Sequence, residues 1–167
     1  VPDTSSRDRR VLYDLIGNSR VLRAFRDLGY RTVQLPSSYP MTRLRDADVT
    51  LEPWPAPSFV DYGILEMGAL QLVQPLRRRS LDFIFVALPA ARASIPDSQP
   101  ALVFSHIMAP HPPFVFTADG GSRRSEKKFV YYDGSHWLDL HGWAGSGYAE
   151  KYRDQAVYTM KRLGETV

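Results

Sequence analysis

Between residues 7 and 28, apolar side chains fall at Val11, Leu12, Leu15, Ile16, Leu22, Phe25 and Leu28. This 3.6-residue spacing predicts an amphipathic helix. Gly17 and Asn18 interrupt the stripe, and Asn18 is suited to cap a second helical segment because its side-chain oxygen can accept from an orphan backbone N–H. Gly29 stands just past the last periodic residue, where a left-handed C-terminal cap is wanted. The β-branched and aromatic run "YRTVQLPS" follows and predicts a strand that its proline ends. A second short strand is expected at "DVTLE", after a polar loop. Helix, turn and strand in this order make the repeating unit of an α/β sheet.

Farther along, "PWPAP" at residues 53–57 forbids regular structure and marks a loop. "SFVDYGILEMGALQLVQPL" predicts a helix covered on several sides, and "RRRSLDFIFVALPAARAS" predicts another. The core of the second, "FIFVAL", has strand composition, but the good helix formers on both flanks decide for helix. "QPALVFSHI" is a compact apolar run of the length of a buried parallel strand, and His106 lies at its carboxyl end. Residues 117–147, rich in Gly, Ser, Asp and charge, read as a long surface excursion with a short strand at "KFVYYD". Tyr148, Tyr152, Ala156 and Leu163 then restore helical spacing to the end. No repeat or low-complexity tract interrupts the pattern.

Composition narrows this picture without changing it. With 167 residues and 44% hydrophobic content, the chain can bury an ordinary core and fits one domain better than two. The formal charge of +3 is mildly basic, but Lys and Arg are spread out and the clusters "RRRS" and "SRRSEKK" are short, so nucleic acid is not an expected partner. "SRRSEKK" reads most simply as a solvated charged turn. The absence of cysteine excludes disulfides, thiolate metal sites and a cysteine nucleophile. No run approaches the roughly 20 apolar residues of a membrane helix, and no signal-peptide core opens the chain. The beginning "VPDTSSRDRR" and the end "KRLGETV" read as cuts within a longer protein.

The candidate chemistry is concentrated in "FSHIMAPHPPF", residues 104–114. Ligands of open α/β sheets bind outside the carboxyl ends of the strands, where His106 falls. Pro110, Pro112 and Pro113 fix φ and remove N–H groups, so the loop holds one shape and presents His106 and His111 with little entropy left to lose. An imidazole N–H donates to a phosphate or sulfate oxygen, with charge assistance when the ring is protonated. The plainer reading is a core histidine followed by prolines that merely end a strand. Other constellations carry less. His136 and His141 with Asp133 and Asp139 have the residue types of a metal cluster but no specific spacing, and they also fit a surface loop anchored by Trp137 and Trp143. "GWAGSG" lacks the preceding strand and the Lys of a phosphate loop. Ser37 and Ser38 follow the first strand, where turn chemistry accounts for them as well as a site does.

"PALVFSHIMAPHPPFVFTADGG" resembles the segment that ends a central strand and enters the substrate site in sulfatase-like hydrolases of the alkaline phosphatase superfamily. "NSRVLRAFRDLGYRTVQLPSSYPMTRLRDADVTL" is similar to the family's helix, Gly-Tyr, strand and Ser-rich turn, with an Ala-Asp opening the next strand. "YRDQAVYTMKRL" is similar to the helix after the histidine loop: Tyr152, Gln155 and Tyr158 match, and Met160 stands where Asn is expected. The resemblance implies an α/β fold, a partial alkaline-phosphatase-like sandwich with a mostly parallel sheet and flanking helices. Residues 1–167 would form a single domain, the middle part of a sulfatase-like catalytic domain. It also implies that His106 and His111 bind the phosphoryl or sulfuryl group of an ester substrate.

Enzymes of this superfamily use a Ser, Thr or formylglycine nucleophile on divalent metal and a late Asp-His-Gly motif that supplies further ligands. Neither is present, and "DTSSR" at residues 3–7 lacks the apolar strand that would hold a nucleophile. The chain is therefore expected to be inactive alone, with no catalytic or metal-ligating residue of its own. The parent would carry the divalent metal, Zn, Mn, Ca or Mg. Many relatives are membrane-anchored and act on cell-surface material, which extends to the parent only as an expectation. The rival is a non-catalytic α/β binding module, separated from the first reading by whether flanking sequence supplies nucleophile and Asp-His-Gly. A sheet cut from a larger domain exposes edges, so a homodimer is a further expectation.

Overall fold

The computed structural model describes residues 9–37, 39–52, 70–123, 138–139, 142 and 147–166. These carry helices α1 (Arg9–Gly17) and α2 (Arg20–Asp27), strand β1 (Arg31–Leu35), a 3₁₀ turn at Pro40–Thr42, strand β2 (Val49–Thr50), helix α3 (Leu70–Ala93), strand β3 (Ala101–Ser105) and helix α4 (Tyr148–Gly164). The fold class is α/β. Two compact units divide the chain, Val1–Ala56 with Ala87–His106, and Pro57–Val86 with Ile107–Val167. No helix among the described residues is long and apolar enough to cross a membrane.

In the first unit the periodic stretch of residues 7–28 forms two helices, divided at Gly17 and Asn18 where the stripe is interrupted. Ser19, not Asn18, caps the second, its hydroxyl accepting from the Leu22 N–H at 3.4 Å. Asn18 instead spends its backbone N–H on the Asp14 carbonyl, at the end of α1. The end of α2 is a Schellman motif: Tyr30 N–H bonds the Phe25 carbonyl at 3.0 Å and Gly29 N–H bonds that of Arg26 at 2.8 Å. Gly29 has φ +84°, the left-handed conformation its position called for. Leu22 points into the core at 2% exposure, whereas Val11, Leu12 and Leu15 are each 48% exposed, so the apolar stripe of α1 is not the core face its spacing predicts.

All strand pairing is parallel, in the order β2-β1-β3. Arg31 through Leu35 register with Ala101 through Ser105, and Val33 and Gln34 with Val49 and Thr50. The central strand is thus β1, fully buried from Thr32 to Leu35. Strand β3 is half-buried along its whole length, not the buried strand that its composition predicts, because among the described residues it has a partner on one side only.

One face of β1 carries the polar pair Thr32 and Gln34, both wholly buried. Their hydrogen bonds explain how. The Gln34 amide donates to the Leu44 carbonyl at 2.8 Å and accepts from the Leu44 N–H at 2.5 Å, standing in for a strand partner. Thr32 donates through both its N–H (2.8 Å) and its hydroxyl (2.7 Å) to the Asp48 carboxylate, and its hydroxyl accepts from the Asp48 N–H at 3.0 Å. This clasp brings the chain to the start of β2. The Thr32 hydroxyl and then its N–H, helped by the charges of Arg26 and Arg31, hold the Asp48 carboxyl below the usual carboxylate range. A carboxyl depressed in the folded state stabilises above its unfolded pKa and loses that contribution as pH falls through the folded value. In urea titrations the midpoint gap between wild type and Asp48→Asn should therefore be widest near neutral pH and close below about pH 4. A gap independent of pH would exclude the carboxylate as the cause.

In the second unit Leu81, Phe85, Val115 and Phe116 form a buried cluster joined by Ile107, Ala109, Tyr158 and Leu163. The Tyr158 ring lies 4.6 Å from that of Phe116 and meets the Phe85 ring edge-on at 6.0 Å. "FIFVAL" is helical, as its flanks predict, within a single α3 that continues through Pro75 where two helices are expected. On α4 the buried residues are Gln155 and Thr159; of the predicted stripe Tyr152 is 39% exposed, Tyr148 and Ala156 are half-buried, and Leu163 packs against the core. The expected loop at 53–57, the helix before residue 70 and the strand at "KFVYYD" lie outside the described residues.

Candidate functional site

Parallel pairing of Leu35 with Ser105 brings the carboxyl ends of β1 and β3 side by side. The residues that follow, Pro36-Ser37 and His106, leave the sheet together. Ser37 Oγ lies 2.7 Å from His106 Nδ1. The same hydroxyl accepts from the Tyr39 N–H at 3.2 Å and stands 3.4 Å from Thr42 Oγ1, which itself donates to the Tyr39 carbonyl at 3.1 Å. The Tyr39 ring, 6.2 Å from the imidazole and tilted 34° to it, flanks the histidine. His106 is half-buried, neither sealed among apolar neighbours nor wholly in solvent. Ser37 is therefore more than a turn residue.

His111 belongs to the second unit and is also half-buried. Its Nδ1 lies 2.8 Å from the carbonyl of Pro112. A carbonyl only accepts, so Nδ1 carries the hydrogen, and in the neutral ring Nε2 is left with a lone pair. Neutral His111 is thus a proton acceptor or a ligand at Nε2, and it donates toward an anion there only as imidazolium.

What holds the His111 loop is Gln155 of α4, wholly buried. Its Oε1 accepts from Val115 N–H at 2.7 Å and, more loosely, Phe116 N–H at 3.4 Å. Its Nε2 donates to the carbonyls of Pro110 (3.2 Å), His111 (3.1 Å) and Pro113 (3.4 Å). Prolines 110, 112 and 113 cannot pair as a strand does, yet Pro112 through Phe116 are buried, so their backbone polar groups need partners. One primary amide, with two donors and an acceptor, meets that need.

The loop continues into a tight turn. Asp119 accepts from the Thr117 hydroxyl at 2.5 Å and from the Gly121 N–H at 3.2 Å, and these two bonds hold its carboxyl below the usual range. Asp119 is thereby a turn-forming anion. Arg78 closes the turn from α3, donating to the Gly120 carbonyl at 2.9 Å and to Ser122 Oγ at 2.8 Å, with its guanidinium 4.8 Å over the Phe116 ring. Arg123 donates to the Phe116 carbonyl at 3.0 Å and pairs with Asp154, its side chain 18% exposed. Of "SRRSEKK" only Ser122 and Arg123 are described, and Arg123 is held by the carboxylate and carbonyl that α4 and the loop offer it.

Among the described residues no three His, Asp or Glu side chains converge as a metal site would require. The divalent metal implied by the resemblance is expected of the parent, not of these residues. Ser38, Asp133, His136, Trp137, His141, Trp143 and "DTSSR" lie outside the described residues; Asp139 is described and belongs to no such group.

No family model, curated protein or solved structure matches the chain.

Proposed function

We propose that this chain is the central part of a sulfatase-like domain of the alkaline-phosphatase type, whose parent acts on phosphate or sulfate esters. The observation that carries the reading is His106: it leaves the carboxyl end of a parallel strand with its Nδ1 tied to Ser37 at the end of the neighbouring strand. In a parallel sheet this is where ligands bind, and an imidazole tethered through one nitrogen aims the other. A phosphoryl or sulfuryl group gains negative charge on its outer oxygens during transfer, and an N–H fixed in advance toward those oxygens stabilises that charge without reorganising.

The same reading extends to His111, whose Nδ1 lies 2.8 Å from the Pro112 carbonyl and leaves Nε2 as its remaining ring nitrogen. Nucleophile and divalent metal are assigned to parts of the parent beyond this chain, which alone is expected to hydrolyse nothing. Membrane anchoring of the parent and an extracytoplasmic site rest on the resemblance, and a homodimer rests on the exposed sheet edges.

The test uses the full-length protein with nitrophenyl phosphate and nitrophenyl sulfate. His106→Ala should lower turnover on the order of 10²-fold or more with the fold unchanged. His111→Ala should do the same only if the charged ring meets the transferred group. Turnover unchanged in both variants would return the loop to a structural role.

A further inference from the structure

Tyr39 carries a hydroxyl that the fold does not use. Its backbone is held at both ends: the N–H donates to Ser37 Oγ at 3.2 Å, and the carbonyl accepts from the Thr42 N–H at 3.2 Å and from the Thr42 hydroxyl at 3.1 Å. Pro40 follows directly and opens the 3₁₀ turn Pro40–Thr42, where its ring fixes φ and keeps the loop in one shape. The Tyr39 ring lies beside His106 in the same unit, with centroids 6.2 Å apart and planes tilted by 34°. A phenylalanine would satisfy all of this. Yet the residue is a half-buried tyrosine, and among the described residues its hydroxyl meets no hydrogen-bond partner. A phenol withdrawn from water usually finds one.

A side chain whose backbone is already fixed, and whose polar end is unengaged, can meet a ligand with little entropy left to lose. Tyr39 stands just past the carboxyl end of β1, where open parallel sheets bind their ligands, so a group seated against the imidazole is also beside the phenol. A phenol O–H that donates to an anionic oxygen makes a charge-assisted bond, stronger than one between neutral partners. We propose that Tyr39 is a binding residue of this site: its hydroxyl donates to an anionic oxygen of the phosphoryl or sulfuryl group that His106 meets. The assignment deepens the anion-binding reading and rests on it. It requires no particular ring nitrogen of His106, and it names the hydroxyl, not the ring, as the group that acts.

Isothermal titration of the full-length protein with inorganic phosphate and with inorganic sulfate tests this without knowledge of the ester's alcohol. Tyr39→Phe keeps the ring and removes the oxygen. It should weaken binding of whichever anion the wild type takes on the order of 10-fold or more, as loss of a hydrogen bond to a charged group does, with the midpoint of urea unfolding unchanged. An affinity equal to wild type overturns the proposal. A lowered unfolding midpoint overturns it as well, because the hydroxyl would then have a place in the fold. His106→Ala, titrated alongside, separates the two ideas. If it weakens binding and Tyr39→Phe does not, the anion-binding reading stands and Tyr39 has no part in it. If neither variant weakens binding, or the wild type binds neither anion, the reading falls and the assignment falls with it.

Discussion

Gln155→Leu should destabilise the chain by about 4 kcal/mol, the largest effect expected of any single side chain described above. The replacement keeps the volume and removes the polar atoms. Two backbone N–H groups, of Val115 and Phe116, lose their acceptor, and the carbonyls of Pro110, His111 and Pro113 lose their donor. A buried backbone group stranded in this way costs about 1–3 kcal/mol, and the long members of the set lose less than the short ones. Urea unfolding of wild type and variant measures the difference. Gln155→Glu sharpens the test, because a carboxylate keeps the acceptor but turns negative oxygen toward three carbonyls. Relative to wild type at the same pH, Glu should be worse at neutral pH and improve as acid protonates it and restores one donor. Equal stability of all three proteins would mean that the proline loop holds itself.

Gly120→Ala is expected to cost about 3 kcal/mol from two separate sources. Gly120 has φ +90°, a left-handed conformation that an L side chain adopts at about 1–2 kcal/mol. A Cβ there would also sit 2.4 Å from Cε2 and 2.7 Å from Cζ of Tyr158, whose ring is wedged against Phe116 and Phe85 and has little room to retreat. The two sources separate in a double-mutant cycle. In a Tyr158→Ala background the penalty of Gly120→Ala should shrink to its backbone part. A penalty that stays whole in that background would refute the steric share.

How much of this was readable from the amino acids depends on the range of the interaction. Strands β1, β2 and β3 fall where β-branched runs and prolines put them, and Gly29 ends α2 as a left-handed cap, because those outcomes are decided within a few residues. The cap of α2 was misplaced by one residue because Asn18 and Ser19 both offer a suitable oxygen, and only the path of the chain out of α1 selects Ser19. The inward face of α4 was misjudged for a longer-range reason. Periodicity counts apolar residues, and here the buried positions are Thr159 and Gln155, the latter facing a proline loop that needs hydrogen bonds. Apolar spacing on α1 likewise says nothing of which elements are there to cover it.

At the candidate site, His106 and His111 were legible because prolines and a strand end frame them. Their hydrogen-bond partners were not, since these are a serine 69 positions from His106 and a carbonyl that only folding brings to His111 Nδ1. Gln155 was recognisable as a matched position, but its role follows only from seeing which carbonyls the prolines leave unpaired.

The central claim is that the His106 ring meets the anionic group of an ester substrate. A crystal structure of the full-length protein with orthovanadate or inorganic phosphate tests it most directly. The account predicts His106 Nε2 about 3 Å from an oxygen of the bound anion, with Nδ1 still on Ser37. An anion bound elsewhere, with the His106 ring closed off by protein atoms, would contradict it.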